Sequence, residues 1–95
     1  MVTTSGWKNK KGTGDRSCKC GSWKNHWVKI SKKTWPDQCC VKGCSKEATL
    51  GAHVYNPNEE KEWIVPMCDS CNNKDDKFDI DAHTTVIHAS KDICP

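Results

Sequence analysis

Two pairs of closely spaced cysteines constrain the fold more than any other feature of this sequence. Four residues separate Cys39 from Cys44, two separate Cys68 from Cys71, and twenty-three lie between the pairs. Cysteines separated by two to four residues let one turn present two sulfurs to a tetrahedral zinc ion. Two such pairs supply all four ligands, and the segment between them is long enough for one β-hairpin. The spacing therefore predicts a domain built around one structural Zn²⁺.

A metal is expected because the chain is poor in the side chains that usually build a core. It has one Leu, five Ile, six Val and one Phe, which make 13 of its 95 residues. Chains below about 20% in this class are often disordered. Five Trp and eight Cys oppose disorder, since they offer large apolar surfaces and cross-links. Structural zinc supplies about 10–16 kcal/mol of apparent binding free energy, comparable with the net stability of a whole domain.

Whether the cysteines bind zinc or form disulfides depends on the redox compartment in which the protein is found. The first 17 residues are polar and then basic, without the apolar stretch of about 7–15 residues that a secretory signal needs. The sequence also has no run of about 18 apolar residues that could cross a bilayer. We therefore expect a cytoplasmic protein, monomeric by default and without a membrane partner, in which reducing conditions favour thiolate–metal sites. Free or disulfide-bonded cysteines are the alternative.

The pattern of apolar residues predicts a small α+β domain. Ser22 can cap a helix that runs to about Ser31 and buries Trp23, Trp27 and Ile30 on one face. Strands are expected at 49–55 and 61–66, joined by a turn at 56–58 into a hairpin, with a last strand at 84–88. A short helix is expected at 67–74.

Charge is distributed unevenly along the chain. Residues 1–35 carry nine Lys or Arg against one acid, a net charge of +8, whereas residues 36–95 carry −5. Residues 1–17 have no apolar period and several Gly, so we interpret them as a flexible basic arm and residues 18–95 as a single domain. The basic segment either attracts the acidic body or binds phosphates. Its candidate nucleic-acid contacts are Lys8, Lys10, Lys11, Arg16 and Lys24, with Trp7, Trp23 or Trp27 available to stack on bases.

The remaining cysteines leave two questions open. Cys18, Cys20, His26 and Cys94 can form a second zinc site that closes the N-terminal segment against the C-terminal one. Free cysteines, or a bond from Cys18 or Cys20 to Cys94, are the alternatives. Cys40 can also replace Cys39 in the first site, with three intervening residues.

Residues 39–74 resemble the HNH endonuclease (ββα-metal) superfamily. The resemblance is carried by Cys39-Cys-Val-Lys-Gly-Cys44, Gly51-Ala-His-Val54, Trp63-Ile-Val-Pro-Met-Cys68 and Cys68-Asp-Ser-Cys-Asn-Asn-Lys74, in this order and at matching spacings. It implies a treble clef in which four cysteines hold a zinc ion behind the hairpin and the short helix. It also favours Cys39 over Cys40 as the ligand.

The resemblance supports the fold more than the activity. His53 matches the family's general base and Asn72 a ligand of the catalytic Mg²⁺. Ala52, however, stands where the family carries a metal-binding Asp or His, and Trp63 where it carries the asparagine that orients the base. We therefore expect a non-catalytic zinc module that binds DNA or RNA through its basic N-terminal region. The alternatives are a divergent metal-dependent endonuclease that uses His53 and Asn72, and a structural or protein-interaction zinc module.

Overall fold

The computed structural model of the chain describes residues 4–10, 22–57, 62–74 and 76–88. These residues form an antiparallel sheet of four strands in the order β1-β2-β3-β4, with two helices. The strands are β1 (Lys8–Asn9), β2 (Leu50–Tyr55), β3 (Trp63–Met67) and β4 (Ile87–His88), and the helices are α1 (Trp23–Ser31) and α2 (Asp69–Asn72). The predicted α+β class is confirmed. The two helices in the described part of the chain are too short to span a bilayer.

The hairpin of β2 and β3 separates two apolar cores. Its register pairs Ala52 with Val65 and His53 with Ile64, and successive residues of a strand point to opposite faces. Ala52 and Val65 therefore face one side, where they pack with buried cysteines, and we call this side the metal-side core. Ile64 faces the other side, where it packs with residues of α1 and β4, and we call this side the helix-side core. The sheet is covered on both faces.

Helix α1 forms as the sequence predicts. The Ser22 hydroxyl accepts a hydrogen bond from the Asn25 N–H at 3.1 Å, which satisfies one of the free donors at the helix start. The helix ends at Lys32, whose φ of 58° is left-handed. Trp27 is buried in the helix-side core, and its Nε1–H donates to the Thr85 carbonyl at 2.9 Å. The apolar stripe thus anchors α1 to the sheet.

Gly51 sets how closely α1 approaches β2. A Cβ added at Gly51 would lie 2.7 Å from the carbonyl carbon of Trp23 and 2.8 Å from the backbone nitrogen of Lys24. Both atoms belong to the helix backbone, so no rotamer change relieves the overlap. Only glycine lets the first turn of α1 lie directly on the strand.

The interpretation of residues 1–17 as a flexible arm is wrong for residues 4–10. Trp7 is 0% exposed in the metal-side core, and its N–H donates to the Phe78 carbonyl at 3.0 Å. Strand β1 pairs with β2, with Lys8 opposite Tyr55. An isolated Trp among polar residues carries no periodic signal, but its burial holds this segment in the sheet. Residues 1–3 and 11–17 lie outside the described residues.

Candidate metal centre

The first cysteine pair lies on a tight turn. The Cys44 N–H donates to the Val41 carbonyl at 3.0 Å, and Gly43 adopts a positive φ of 85° that a side chain would oppose. The Cys39 N–H donates to the Lys46 carbonyl at 2.9 Å, which closes the loop from the other side. The turn therefore folds back on itself and brings two cysteine side chains to one point.

The second pair lies at the start of α2. Cys68 is the N-cap residue, and its Sγ accepts a hydrogen bond from the Cys71 N–H at 3.4 Å. Strand β3 ends at Met67, directly before this cap, so the sheet fixes the position of the helix start. A helix N-terminus favours negative charge, which suits a thiolate at this position.

The two pairs meet at one site. The sulfurs of Cys39, Cys44, Cys68 and Cys71 all lie within 4.8 Å of one another, and the Cys44 and Cys68 sulfurs are 3.8 Å apart. Four sulfurs at the usual zinc–sulfur distance of about 2.3 Å form a tetrahedron with edges of about 3.8 Å. The sulfur–sulfur distance in a disulfide is only about 2.05 Å, and these cysteines are free thiols. The cluster can therefore hold one metal ion.

Burial of the cluster makes it a closed site. Cys39, Cys68 and Cys71 are buried, and Cys44 is half-buried. Four sulfur ligands leave no open position on a tetrahedral ion, which is the arrangement of structural rather than catalytic zinc. Soft thiolate ligands select zinc, copper(I) or iron–sulfur chemistry over magnesium and calcium.

The thiols of the metal-free cluster differ in acidity. Burial is the largest influence on Cys68 and raises its pKa, but hydrogen bonds from Cys71, Cys39 and Cys44 outweigh it and hold the pKa at about 7, below the usual 9.0. Burial raises the pKa of Cys71 to about 12 and also raises that of Cys39. One thiolate is thus stabilised by its neighbours, whereas four together need a cation to offset their repulsion.

Cys40 lies outside the cluster although it is adjacent to Cys39. It is 6% exposed in the metal-side core, its N–H donates to the Pro66 carbonyl at 3.0 Å, and burial raises the pKa of its thiol. The Sγ of Cys39, rather than that of Cys40, lies in the cluster of four sulfurs.

Three of the four residues proposed for a second zinc site, Cys18, Cys20 and Cys94, lie outside the described residues. His26 is fully buried, and its Nε2 lies 2.9 Å from the His88 carbonyl oxygen. This hydrogen bond joins α1 to β4. The second site stays a prediction.

The structure does not bring His53 and Asn72 together. His53 is only 5% exposed, and its ring lies edge-on to that of Trp23 with centroids 4.4 Å apart, on the α1 side of the sheet. Asn72 belongs to α2, whose Cys71 packs in the metal-side core with Ala52. The hairpin therefore lies between His53 and α2.

The predicted nucleic-acid residues are placed in part. Lys10 is exposed, with its Nζ 5.9 Å from the centroid of the Tyr55 ring, and Lys24 is exposed, with its Nζ 5.2 Å from that of Trp35. Lys8 is half-buried on β1. Lys11 and Arg16 lie outside the described residues.

Two of the tryptophans named as available to stack on bases lie in the cores. Trp7 is 0% exposed and Trp27 is 3% exposed, so neither offers a ring face to a ligand. Trp23 and Trp35 are half-buried. Stacking on bases is therefore wrong for Trp7 and Trp27, whereas the predicted burial of Trp27 on one face of α1 is confirmed.

Asn9 supports the centre and was missed by sequence analysis. Its side-chain Nδ2 donates to the carbonyls of Cys71 at 2.8 Å and Lys74 at 3.0 Å, so β1 holds the end of α2 in place. Asn9 lies 62 residues from Cys71 in sequence. No pattern in the sequence around Asn9 indicates such a contact.

Comparison of the chain with protein-family models, with curated proteins and with solved structures found no match. The resemblance of residues 39–74 to HNH endonucleases therefore depends on the residues and spacings that carry it.

Proposed function

We propose that the chain is a non-catalytic zinc module of the treble-clef type that binds nucleic acid through its basic N-terminal region. The observation that carries the proposal is the cluster of four sulfurs within 4.8 Å of one another, at the four cysteines whose spacing predicts a zinc site. The zinc ion is structural, because four thiolates saturate it.

The treble-clef assignment is supported by the order of the elements. The turn at 39–44 supplies two ligands, the hairpin of β2 and β3 follows, and the start of α2 supplies the other two. This is the order that the resemblance to HNH endonucleases implies.

A non-catalytic role is supported by the surroundings of His53. Hydrolysis of a phosphodiester requires a base that reaches water and a metal that neutralises the developing charge. His53 is buried beneath Trp23, and the residue before it is Ala52, which has no ligand atom. The residue that matches the family's base is therefore better placed to pack than to activate water.

Nucleic-acid binding is supported by the positions of Lys10 and Lys24. Lys10 lies over Tyr55, which is on the same face of β2 as His53. His53 contacts Trp23 of α1, and Lys24 is the next residue of this helix. Both exposed ammonium groups therefore lie on one side of the sheet, and charges on one side can follow a single phosphate backbone.

Native mass spectrometry of the full chain tests the zinc site. We expect at least one zinc ion per chain, lost in a variant with Cys39→Ala and Cys68→Ala. A second ion would point to Cys18, Cys20, His26 and Cys94. A chain purified under reducing conditions and resupplied with Zn²⁺ that retains no ion would reject the module.

Binding of a labelled DNA duplex, followed by anisotropy across a salt series, tests the nucleic-acid partner. Each phosphate contact contributes about 0.9 to the slope of log K against log salt, so Lys10→Gln with Lys24→Gln lowers the slope by about 2. Lys10→Arg with Lys24→Arg is the matched control, because it keeps both charges and should leave the slope unchanged. Absence of binding to duplex DNA, single-stranded DNA and RNA at about 50 mM salt would refute this part of the proposal.

A further inference from the structure

A concavity lies directly beside the metal centre. It has a volume of about 370 Å³ and is formed by residues 41–46, which include the end of the cysteine turn, and by Ser70 and Cys71 of α2 together with Lys74. Its wall includes two of the metal ligands, Cys44 and Cys71. We call it the knuckle pocket.

The knuckle pocket is lined by positive charge. Lys42, Lys46 and Lys74 contribute to its wall and are exposed, and Ser45 and Ser70 add hydroxyl groups. Within the described part of the chain, no carboxylate lines it. Ammonium and hydroxyl groups around a concave surface are donors suited to phosphate oxygens.

One of these lysines is held in position. The Lys46 Nζ donates to the Ser70 Oγ at 2.9 Å, which joins the cysteine turn to α2 across the pocket. An ammonium group has three donors, so two remain for a ligand. Part of the pocket is therefore preorganised, which reduces the entropic cost of binding.

The metal centre does not cancel this charge. A zinc ion with four thiolates carries a formal charge of −2, whereas three lysines carry +3. The balance stays positive, and the lysine side chains extend from the surface while the thiolates of Cys39, Cys68 and Cys71 are buried. An anion therefore meets the ammonium groups first.

The pocket is next to the basic strand β1. The Asn9 side chain donates to the Lys74 carbonyl at 3.0 Å, and Asn9 lies between Lys8 and Lys10. A phosphate backbone that contacts β1 can therefore continue to Lys74 around the edge of the sheet. The basic surface extends beyond the N-terminal region.

We propose that the knuckle pocket binds a backbone phosphate of nucleic acid through Lys42, Lys46 and Lys74, and this inference rests on the proposed function. Cys44 and Cys71 form part of the wall, so a metal ion bound by these two cysteines also joins the two sides of the pocket. Contacts of this kind position the protein on a backbone and do not read sequence.

Duplex binding across a salt series tests the pocket in the full, zinc-loaded chain. We expect the variant Lys42→Gln, Lys46→Gln, Lys74→Gln to lower the salt slope by about 2.7, at about 0.9 for each lost contact. The matched variant Lys42→Arg, Lys46→Arg, Lys74→Arg keeps the charge and retains the slope. Zinc content is measured on both. If the triple variant does not fold, the single variants Lys42→Gln and Lys74→Gln replace it in the test. Each is expected to lower the salt slope by about 0.9.

The outcomes separate the pocket from the proposed function. A slope unchanged by the Gln variants while the wild type binds would overturn the pocket and leave the function intact. Gln variants that lose zinc but keep their slope would also overturn it, since the lysines would then serve only as counterions of the metal centre. A wild type that binds no nucleic acid would reject the function itself.

Discussion

At the scale of single residues, two adjacent cysteines have different roles. Cys39 points into the sulfur cluster, whereas Cys40 is buried among apolar side chains and held by its backbone bond to Pro66. We predict that Cys39→Ala abolishes zinc binding and with it cooperative unfolding, because three sulfurs leave the ion open to water and chelators. Cys40→Ala is the matched control, since it removes one buried sulfur and keeps the ion.

Native mass spectrometry and denaturant unfolding measure both variants. Cys40→Ala is expected to keep a full zinc content and to lose about 1–2 kcal/mol of unfolding free energy, the usual cost of a small core deletion. Equal zinc loss in the two variants would contradict the assignment of the ligand.

The metal ligands were predictable because their signal is local. A pair such as Cys68 and Cys71 is recognisable from its spacing, whatever the rest of the chain does. Asn9 and Trp7 act through partners more than 60 residues away in sequence, such as Cys71 and Phe78. Such pairings depend on the assembled sheet, so the sequence pattern does not reveal them.

At the scale of elements, α1 depends on Gly51 for its close contact with β2. We predict that Gly51→Ala destabilises the domain by about 1–3 kcal/mol, the usual cost of overpacking, since the added Cβ meets the backbone of Trp23 at 2.7 Å. Gly43→Asn is the control, because nothing lies within 4 Å of the added Cβ and Asn tolerates a positive φ.

Denaturant unfolding and amide exchange of α1 measure the effect of Gly51→Ala. Faster exchange in α1 than in β3 is expected, because the helix must move away from the strand. An unchanged stability would mean that α1 does not approach β2 this closely.

Strand β1 is the element that the sequence did not predict. The helix has a periodic apolar stripe, and the hairpin has two runs of strand-forming residues around a turn, so both were predicted to within a few residues. Strand β1 has two residues and pairs at the edge of the sheet beside a single buried Trp. Its position is set by tertiary packing rather than by a pattern of its own.

We predict that Trp7→Ala lowers the unfolding free energy by about 3–5 kcal/mol, the cost of emptying a fully buried Trp site. Lys8→Ala is the matched control in the same strand, and its half-buried side chain makes the expected change much smaller. Urea unfolding of the zinc-loaded variants measures both. Equal stability of the Trp7 variant and the wild type would mean that residues 4–10 form a flexible arm.

At the scale of the whole molecule, the metal centre lies where the main elements meet. The cysteine turn, the end of β3, the start of α2 and the N-terminal segment all contribute to the metal-side core. The helix-side core is smaller and uses the other face of the same hairpin. Loss of the metal-side core therefore leaves the hairpin supported only by the smaller helix-side core.

We predict that removing the metal abolishes cooperative unfolding of the entire domain. Without an ion, the four thiols lie in an apolar core whose aliphatic residues are too few to offset the entropy of folding. A strong chelator under reducing conditions should eliminate the near-ultraviolet circular dichroism of the tryptophans in both cores, and a stoichiometric addition of Zn²⁺ should restore it. Addition of Mg²⁺ is the control, and it should not restore the circular dichroism signal, since thiolates bind Mg²⁺ poorly. A metal-free chain that keeps a single sharp thermal transition would show that apolar burial alone holds the two cores together.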